Sequence, residues 1–262
     1  MQRQLVNRTD RTKGVAFLGM FLLLVMLNVR AAGREFQEKY AEACEAGVSN
    51  ADHHRSGVAP SVSIDEEFKK TNDSQAEVKL SPVFDLQTLA GWEGNTAVFR
   101  VQENSIVGGQ LSAPIPHNEF LSLEKEYSDF ELLLEFRLIG EQTNAGIQLR
   151  SRRIPDHHEM IGYQADLGQD YWGCLYDESR RNRVLARPDA DPLAKVLKKN
   201  DWNTYRIHCQ GPRIQLWIND FQTVDYTEDD LTIEQHGRIA LQIHGGPPGE
   251  AWYRNIRIRE LK

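Results

Sequence analysis

Asp129-Phe-Glu-Leu-Leu-Leu-Glu-Phe-Arg-Leu138 puts Phe130, Leu132, Leu134, Phe136 and Leu138 on alternate positions. Period-two alternation is the mark of a β-strand that buries one face. The pattern recurs outward along the chain, in Ala145, Ile147 and Leu149, then in Tyr163, Ala165 and Leu167. It returns in Ile214, Leu216 and Ile218, in Ile239, Leu241 and Ile243, and in Ile256 and Ile258 of a terminal strand. Gly, Pro and Asn bound these short segments, and no sustained helical period interrupts them beyond a turn or two near Leu193 to Lys199. So many half-apolar strands must hide their faces against one another. The expected fold is therefore all-β, an antiparallel two-sheet sandwich over residues 81–262.

The N-terminus reads differently. Arg3, Arg8, Arg11 and Lys13 precede an apolar run from Gly14 to Leu27, and Val29-Arg-Ala31 offers small residues for cleavage. That order describes a secretory signal peptide over residues 1–32, or an uncleaved membrane anchor. The run falls short of the roughly 18 apolar residues expected of a membrane span. Residues 33–80 are polar, without a core pattern, and read as a flexible tether in which His53 and His54 are solvated. The implied location is periplasmic or extracellular. A formal charge of −7 on 262 residues argues against a nucleic-acid partner. The cysteines are three, Cys44, Cys174 and Cys209, too few for a disulfide framework. Cys174 and Cys209 read as small buried hydrophobes, with a bridge between them as the alternative.

The polar positions of the same strands carry the functional signal. Opposite the apolar set lie Asn144, Gln148 and Arg150, then Gln164 and Asp166, then Arg213, Gln215, Trp217 and Asn219, then Gln242 and His244. Lysine is absent from all four faces. Rigid amides, imidazole, guanidinium and indole suit a preformed polyol site better than a solvated surface. The segment Tyr171-Trp-Gly-Cys-Leu-Tyr-Asp-Glu178 adds flat aromatic surface and two further acids. Gly245-Gly-Pro-Pro-Gly249 fixes a loop directly after His244.

At these residues the chain resembles the bacterial 3-keto-disaccharide hydrolase family. The resemblance covers about residues 81–262 and rests on Phe84-Asp, Gly91-Trp92, Tyr127-Ser-Asp-Phe-Glu131 and Asn144-Ala-Gly-Ile-Gln-Leu-Arg150. It continues through Gly162-Tyr-Gln-Ala-Asp166, Trp172-Gly-Cys-Leu-Tyr-Asp177 and Asp201-Trp-Asn-Thr-Tyr205. It closes with Leu216-Trp-Ile-Asn219, Leu241-Gln-Ile-His244 and Arg254-Asn-Ile256. Many members carry Asn-Ser-Gly in place of Asn144-Ala-Gly, and Gly-x-Glu-x-Gln in place of Gly162-Tyr-Gln-Ala-Asp.

The resemblance implies a concanavalin-like jelly roll acting on glycosides already oxidised at C3. Proton abstraction at C2 would drive 1,2-elimination, and hydration of the 2-hydroxy-glucal would complete a net hydrolysis. On that reading His244 is the base, and Asp166 or Glu178 is the acid or orients the base. Arg150, Gln164 and Gln242 hold the keto oxygen and hydroxyls, with Asn144 and Gln148 beside them. Tyr171, Trp172 and Trp217 stack on the sugar. As an alternative, Asp166, Asp177 and Glu178 offer oxygen ligands to a divalent cation. Two other functions stay open: a lectin-like binding domain, and a conventional glycosidase with paired carboxylates.

Overall fold

The computed structural model describes residues 79–262. The expected signal segment, Cys44, the histidine pair at 53 and 54 and nearly all of the tether lie outside the described residues. In chain order the strands are β1 Ser81–Pro82, β2 Trp92–Glu93, β3 Phe99–Gln102, β4 Ser105–Gln110 and β5 Glu119–Tyr127. Then come β6 Phe130–Ile139, β7 Asn144–Arg153, β8 Met160–Gly168, β9 Leu175–Glu178 and β10 Arg183–Ala186. One short helix, α1 Ala190–Val196, precedes β11 Asn203–Gln210, β12 Arg213–Ile218, β13 Phe221–Thr227, β14 Gly237–Ile243 and β15 Gly249–Glu260.

These strands form two antiparallel sheets, as the alternation requires. The first runs β13-β12-β11-β6-β15-β4-β3, with β1 added on β15. The second runs β10-β9-β8-β7-β14-β5-β2. Sequence neighbours are often far apart in a sheet: β14 lies between β5 and β7, and β15 between β4 and β6. The apolar sets of β6, β7, β8, β12 and β14 all meet in one core between the sheets, joined by Tyr205, Ile207, Tyr253 and Ile256. Cys174 and Cys209 are buried thiols, not a disulfide. Among the described residues no helix is long and apolar enough to cross a membrane.

One local irregularity matters for the site. The pairing of β7 with β8 slips between Leu149 and Arg152, and Arg150 has φ 48°. A bulge of this kind resets which way the following side chains point. Gly237 accommodates it, because a Cβ there would stand 2.6 Å from the Arg150 carbonyl carbon.

Candidate functional site

The face of the second sheet turned away from the core is polar yet buried. Register fixes its rows. Tyr176, Gln164, Gln148 and Ala240 are cross-strand partners on β9, β8, β7 and β14. The next row holds Asp166, Gly146, Gln242 and Phe120, on β8, β7, β14 and β5. Beyond it, His244 donates its backbone N–H to Asn144 O at 3.0 Å. Glu178 pairs with Gly162 on the far side of the first row. Strands stand about 4.8 Å apart and residues rise about 3.3 Å along each, so Asp166 and His244, two strands and one row apart, are separated by roughly 12 Å.

A directed chain of hydrogen bonds holds the acid. Ser151 Oγ donates to Gln148 Oε1 at 2.6 Å, Gln148 Nε2 to Gln164 Oε1 at 2.8 Å, and Gln164 Nε2 to Asp166 Oδ1 at 2.6 Å. All donors point toward Asp166, so each bond polarises the next. Gly146 makes room for this chain: a Cβ there would lie 2.7 Å from Gln164 Cγ and Cδ. Burial pushes the Asp166 carboxyl up to about 8, against the opposing pull of Gln164. Burial also pushes Glu178 up to about 8, helped by the nearby charges of Glu159 and Asp166. At neutral pH these are predominantly proton donors. With Oδ1 accepting from Gln164, the Asp166 proton belongs on Oδ2.

His244 has the complementary state. Burial lowers its pKa below the ordinary imidazole range. Its Nδ1 lies 2.6 Å from Gly245 O. A carbonyl only accepts, so the neutral ring carries its proton on Nδ1 and keeps the lone pair on Nε2. The ring is half-buried and does not enter the hydrophobic core. Between acid and imidazole stands Gln242, fully buried, with neither Oε1 nor Nε2 bonded to any protein group. A buried amide with both ends unpaired costs several kcal/mol, on the order of 1–3 for each group, unless something else fills it.

Five expected contributors lie elsewhere. Arg150 does not face the site: its bulged backbone sends the guanidinium to Ser128 O at 2.6 Å, Gly211 O at 2.7 Å and Asp129 Oδ1 at 2.9 Å. It ties two turns of the sandwich together. Trp217 lies on the outer face of the first sheet, the opposite side of the molecule, under the Arg206 guanidinium at 4.6 Å. Asp177 pairs in register with Tyr163, so it points to the core side, where Arg180 and Arg181 bind it. Asp166, Asp177 and Glu178 therefore cannot converge on one cation, and among the described residues no group of three His, Cys, Asp or Glu side chains has metal-holding geometry. Trp172 packs against the core, 6.2 Å from Phe136, and Tyr171 is buried in the short turn after β8. Asn144, Gln148, Gln164, Asp166, Glu178, Gln242 and His244 do share one sheet face.

Sequence reasoning missed a second wall. The β7–β8 connection brings His157, His158 and Glu159 against His117, Asn118 and Glu119. The His117 and His158 rings stack at 4.2 Å, and His157 stacks on His158 at 4.4 Å. Asn118 Nδ2 donates to Glu159 Oε1 at 3.0 Å, and Glu159 Oε2 is buried without a partner. These residues sit in connections and strand ends, where alternation says nothing. The only signal available was the density of His and Glu in Asp156-His-His-Glu159.

The model of the 3-keto-alpha-glucoside-1,2-lyase-like domain family matches residues 79–259. Comparison with curated proteins returns no match. Among solved structures, a Parabacteroides distasonis ATCC 8503 protein provisionally described as a glycosyl hydrolase superposes with a TM-score of 0.54 at 15% identity, covering 77% of this chain and 99% of its own. The carbohydrate-binding module CBM66 of Bacillus subtilis gives 0.52 at 13% identity, with 65% and 96% covered. A Bacillus subtilis protein of galectin-like fold gives 0.51 at 12%, with 66% and 90% covered. Identities this low speak to fold alone, and the fold is the expected jelly-roll sandwich.

Proposed function

The chain belongs to the 3-keto-alpha-glucoside-1,2-lyase-like family, a carbohydrate-related family, and from that premise we propose that it cleaves 3-keto-glycosides by elimination followed by hydration. The observation that carries this reading is an imidazole and a buried carboxyl on one sheet face, with the buried, unpaired Gln242 amide beside them. A conventional retaining glycosidase needs an ionised carboxylate nucleophile. Both buried acids on this face hold their protons at neutral pH, which favours the elimination.

The chemistry follows from those states. A C3 carbonyl acidifies the C2 proton, which His244 Nε2 removes as the electron pair moves into the carbonyl as an enolate. Gln242 Nε2–H donates to the enolate oxygen, a charge that develops only along the reaction path. The enolate collapses into a C1–C2 double bond, and the departing C1 oxygen takes the Asp166 proton. Water then bonds to C1 and gives a proton to the Asp166 carboxylate, while the imidazolium returns a proton to C2. Both side chains finish as they began, and one water has been consumed. Glu178 keeps the acid end of the face uncharged. Gln148 and Gln164 hold Asp166 in place, and Asn144 stands beside His244. The N-terminal leader read in the sequence would deliver this domain beyond the cytoplasm.

The test compares an oxidised with an unoxidised disaccharide, using the full chain and following released sugar by NMR. Turnover of the 3-keto substrate alone, lost by at least about 100-fold in His244→Ala, is expected. Equal turnover of the unoxidised sugar would overturn the elimination. Sugar affinity without any turnover would make this a binding domain.

A further inference from the structure

Phe120, Ala240 and Gln242 lie on the outer face of the second sheet and are nonetheless fully buried. Part of their cover comes from the β7–β8 hairpin. β7 keeps its pairing with β14 only as far as Ser151, while Arg152 and Arg153 pair with Ile161 and Met160 of β8 alone. β14 separates this hairpin from β5, a gap of about 10 Å across two strand spacings. The tip nevertheless touches β5 and the residues that lead into it. Arg153 Nη2 donates to Phe120 O at 2.8 Å and to Glu93 O at 3.0 Å. Glu159 Oε1 accepts from Asn118 Nδ2 at 3.0 Å, and the His158 ring stacks on His117 at 4.2 Å. Met160 packs with Phe120 and Ala240 in a cluster separate from the main core. Phe120 and Ala240 share the outer face with Gln242, since their neighbours Leu121, Ile239 and Leu241 fill the core. The tip therefore leaves the sheet plane beyond Ser151 and crosses β14 over that face. At the bend the two legs nearly touch: a Cβ on Gly162 would stand 2.3 Å from Ser151 Oγ.

We propose that residues 152–161 form a strap shut over the candidate sugar face, and that ligand enters when it swings off Phe120 and Ala240. Opening bares the Phe120 ring beside its cross-strand partner Gln242, as a surface for the apolar face of a sugar ring. Closed, the strap leaves both ends of the Gln242 amide buried and unbonded, so no sugar hydroxyl reaches them. The strap is also built to give way before the sheets do. One methionine, a few hydrogen bonds and a pair of imidazoles hold it, whereas the sheet strands are held by the main core. Segments with few buried apolar contacts open at a fraction of the global unfolding free energy. The sugar platform rests on the carbohydrate reading of this face. The strap does not, and its opening can be measured without any sugar.

The experiment places a thiol under the strap with Ala240→Cys in the full chain. The native protein is treated with iodoacetamide, and each cysteine is read by mass spectrometry. Cys209, in the main core, reports global unfolding in the same molecule. The thiol at position 240 should react at least about 10-fold faster than Cys209. Adding Asn118→Ala or His158→Ala, each of which removes one strap contact, should speed it by about a further 5-fold relative to Cys209. Labelling at position 240 no faster than at Cys209, or indifferent to both added substitutions, would overturn the strap. Phe120→Leu keeps an apolar side chain under Met160 and should raise KM for the 3-keto disaccharide by about 5-fold at unchanged kcat. An unchanged KM would overturn the platform. Fast labelling in a protein that never turns over the 3-keto sugar would uphold the strap and refute the proposed reaction.

Discussion

Asp166 and His244 carry opposite burdens of the same cause. Burial penalises whichever form is charged, so it raises the carboxyl and lowers the imidazole. Activity should therefore be bell-shaped in pH. The rising limb lies below the ordinary imidazole value as His244 loses its proton, and the falling limb lies near 8 as Asp166 and Glu178 ionise. A pH profile of kcat/KM checks this. Asp166→Asn should cut kcat by at least about 100-fold while leaving the rising limb of the residual activity in place. The same carboxyl makes a stability prediction. Its folded pKa of about 8 lies above its unfolded value, so the folded state binds the extra proton between about pH 4 and 8. That stabilisation is complete below pH 4 and is lost as pH rises toward 8, with a slope of at most about 1.4 kcal/mol per pH unit. Asp166→Asn keeps an oxygen to accept from Gln164 and removes the titration. The variant should be more stable than wild type above pH 8 and show a flatter dependence in urea unfolding across that window.

At the scale of the strand, the alternation in β6, β7, β8, β12 and β14 was legible without coordinates, and so was the polar row of Gln148, Gln164, Asp166 and Gln242. What alternation cannot carry is a change of phase or the identity of the sheet. Arg150 sits in phase with Gln148 on paper, but the bulge at φ 48° turns it to Ser128, Asp129 and Gly211. Trp217 alternates as cleanly as Gln242, yet β12 belongs to the other sheet. Asp177 and Glu178 are adjacent, so one of them had to face inward. Asn118 and Glu159 had no periodic context at all. The correction at Arg150 is testable. Arg150→Met strands the Asp129 carboxylate and two turn carbonyls, and should cost about 3–5 kcal/mol of stability. Activity per folded molecule should hardly change, because the guanidinium touches nothing on the proposed catalytic face. Gly146→Ala should do the reverse: it displaces Gln164 by close contact, breaks the bond to Asp166, and lowers kcat more than stability.

On the scale of the whole molecule, the sandwich explains why a polar site can stay dry. One face of the second sheet seals the core, and the other carries a hydrogen-bonded chain from Ser151 to Asp166, with the Gln242 amide left unpaired beside it. The expected thiols fit the same picture. Cys209 lies in the core, and burial pushes its pKa up to about 12, so it is inert to alkylation in the native protein. Mass spectrometry after iodoacetamide treatment should find Cys209 unmodified until denaturant is added, and reductant should leave the thermal midpoint unchanged.

Transfer of the C2 hydrogen is where these scales meet. On the proposed route the half-buried His244 imidazolium would exchange its proton with solvent, so the reaction run in deuterated water should label the sugar it releases. With the full chain and a 3-keto disaccharide, the released 3-keto sugar should carry deuterium at C2, above the enzyme-free exchange measured in parallel. A released sugar with hydrogen retained at C2 would contradict proton abstraction by His244 and with it the elimination route.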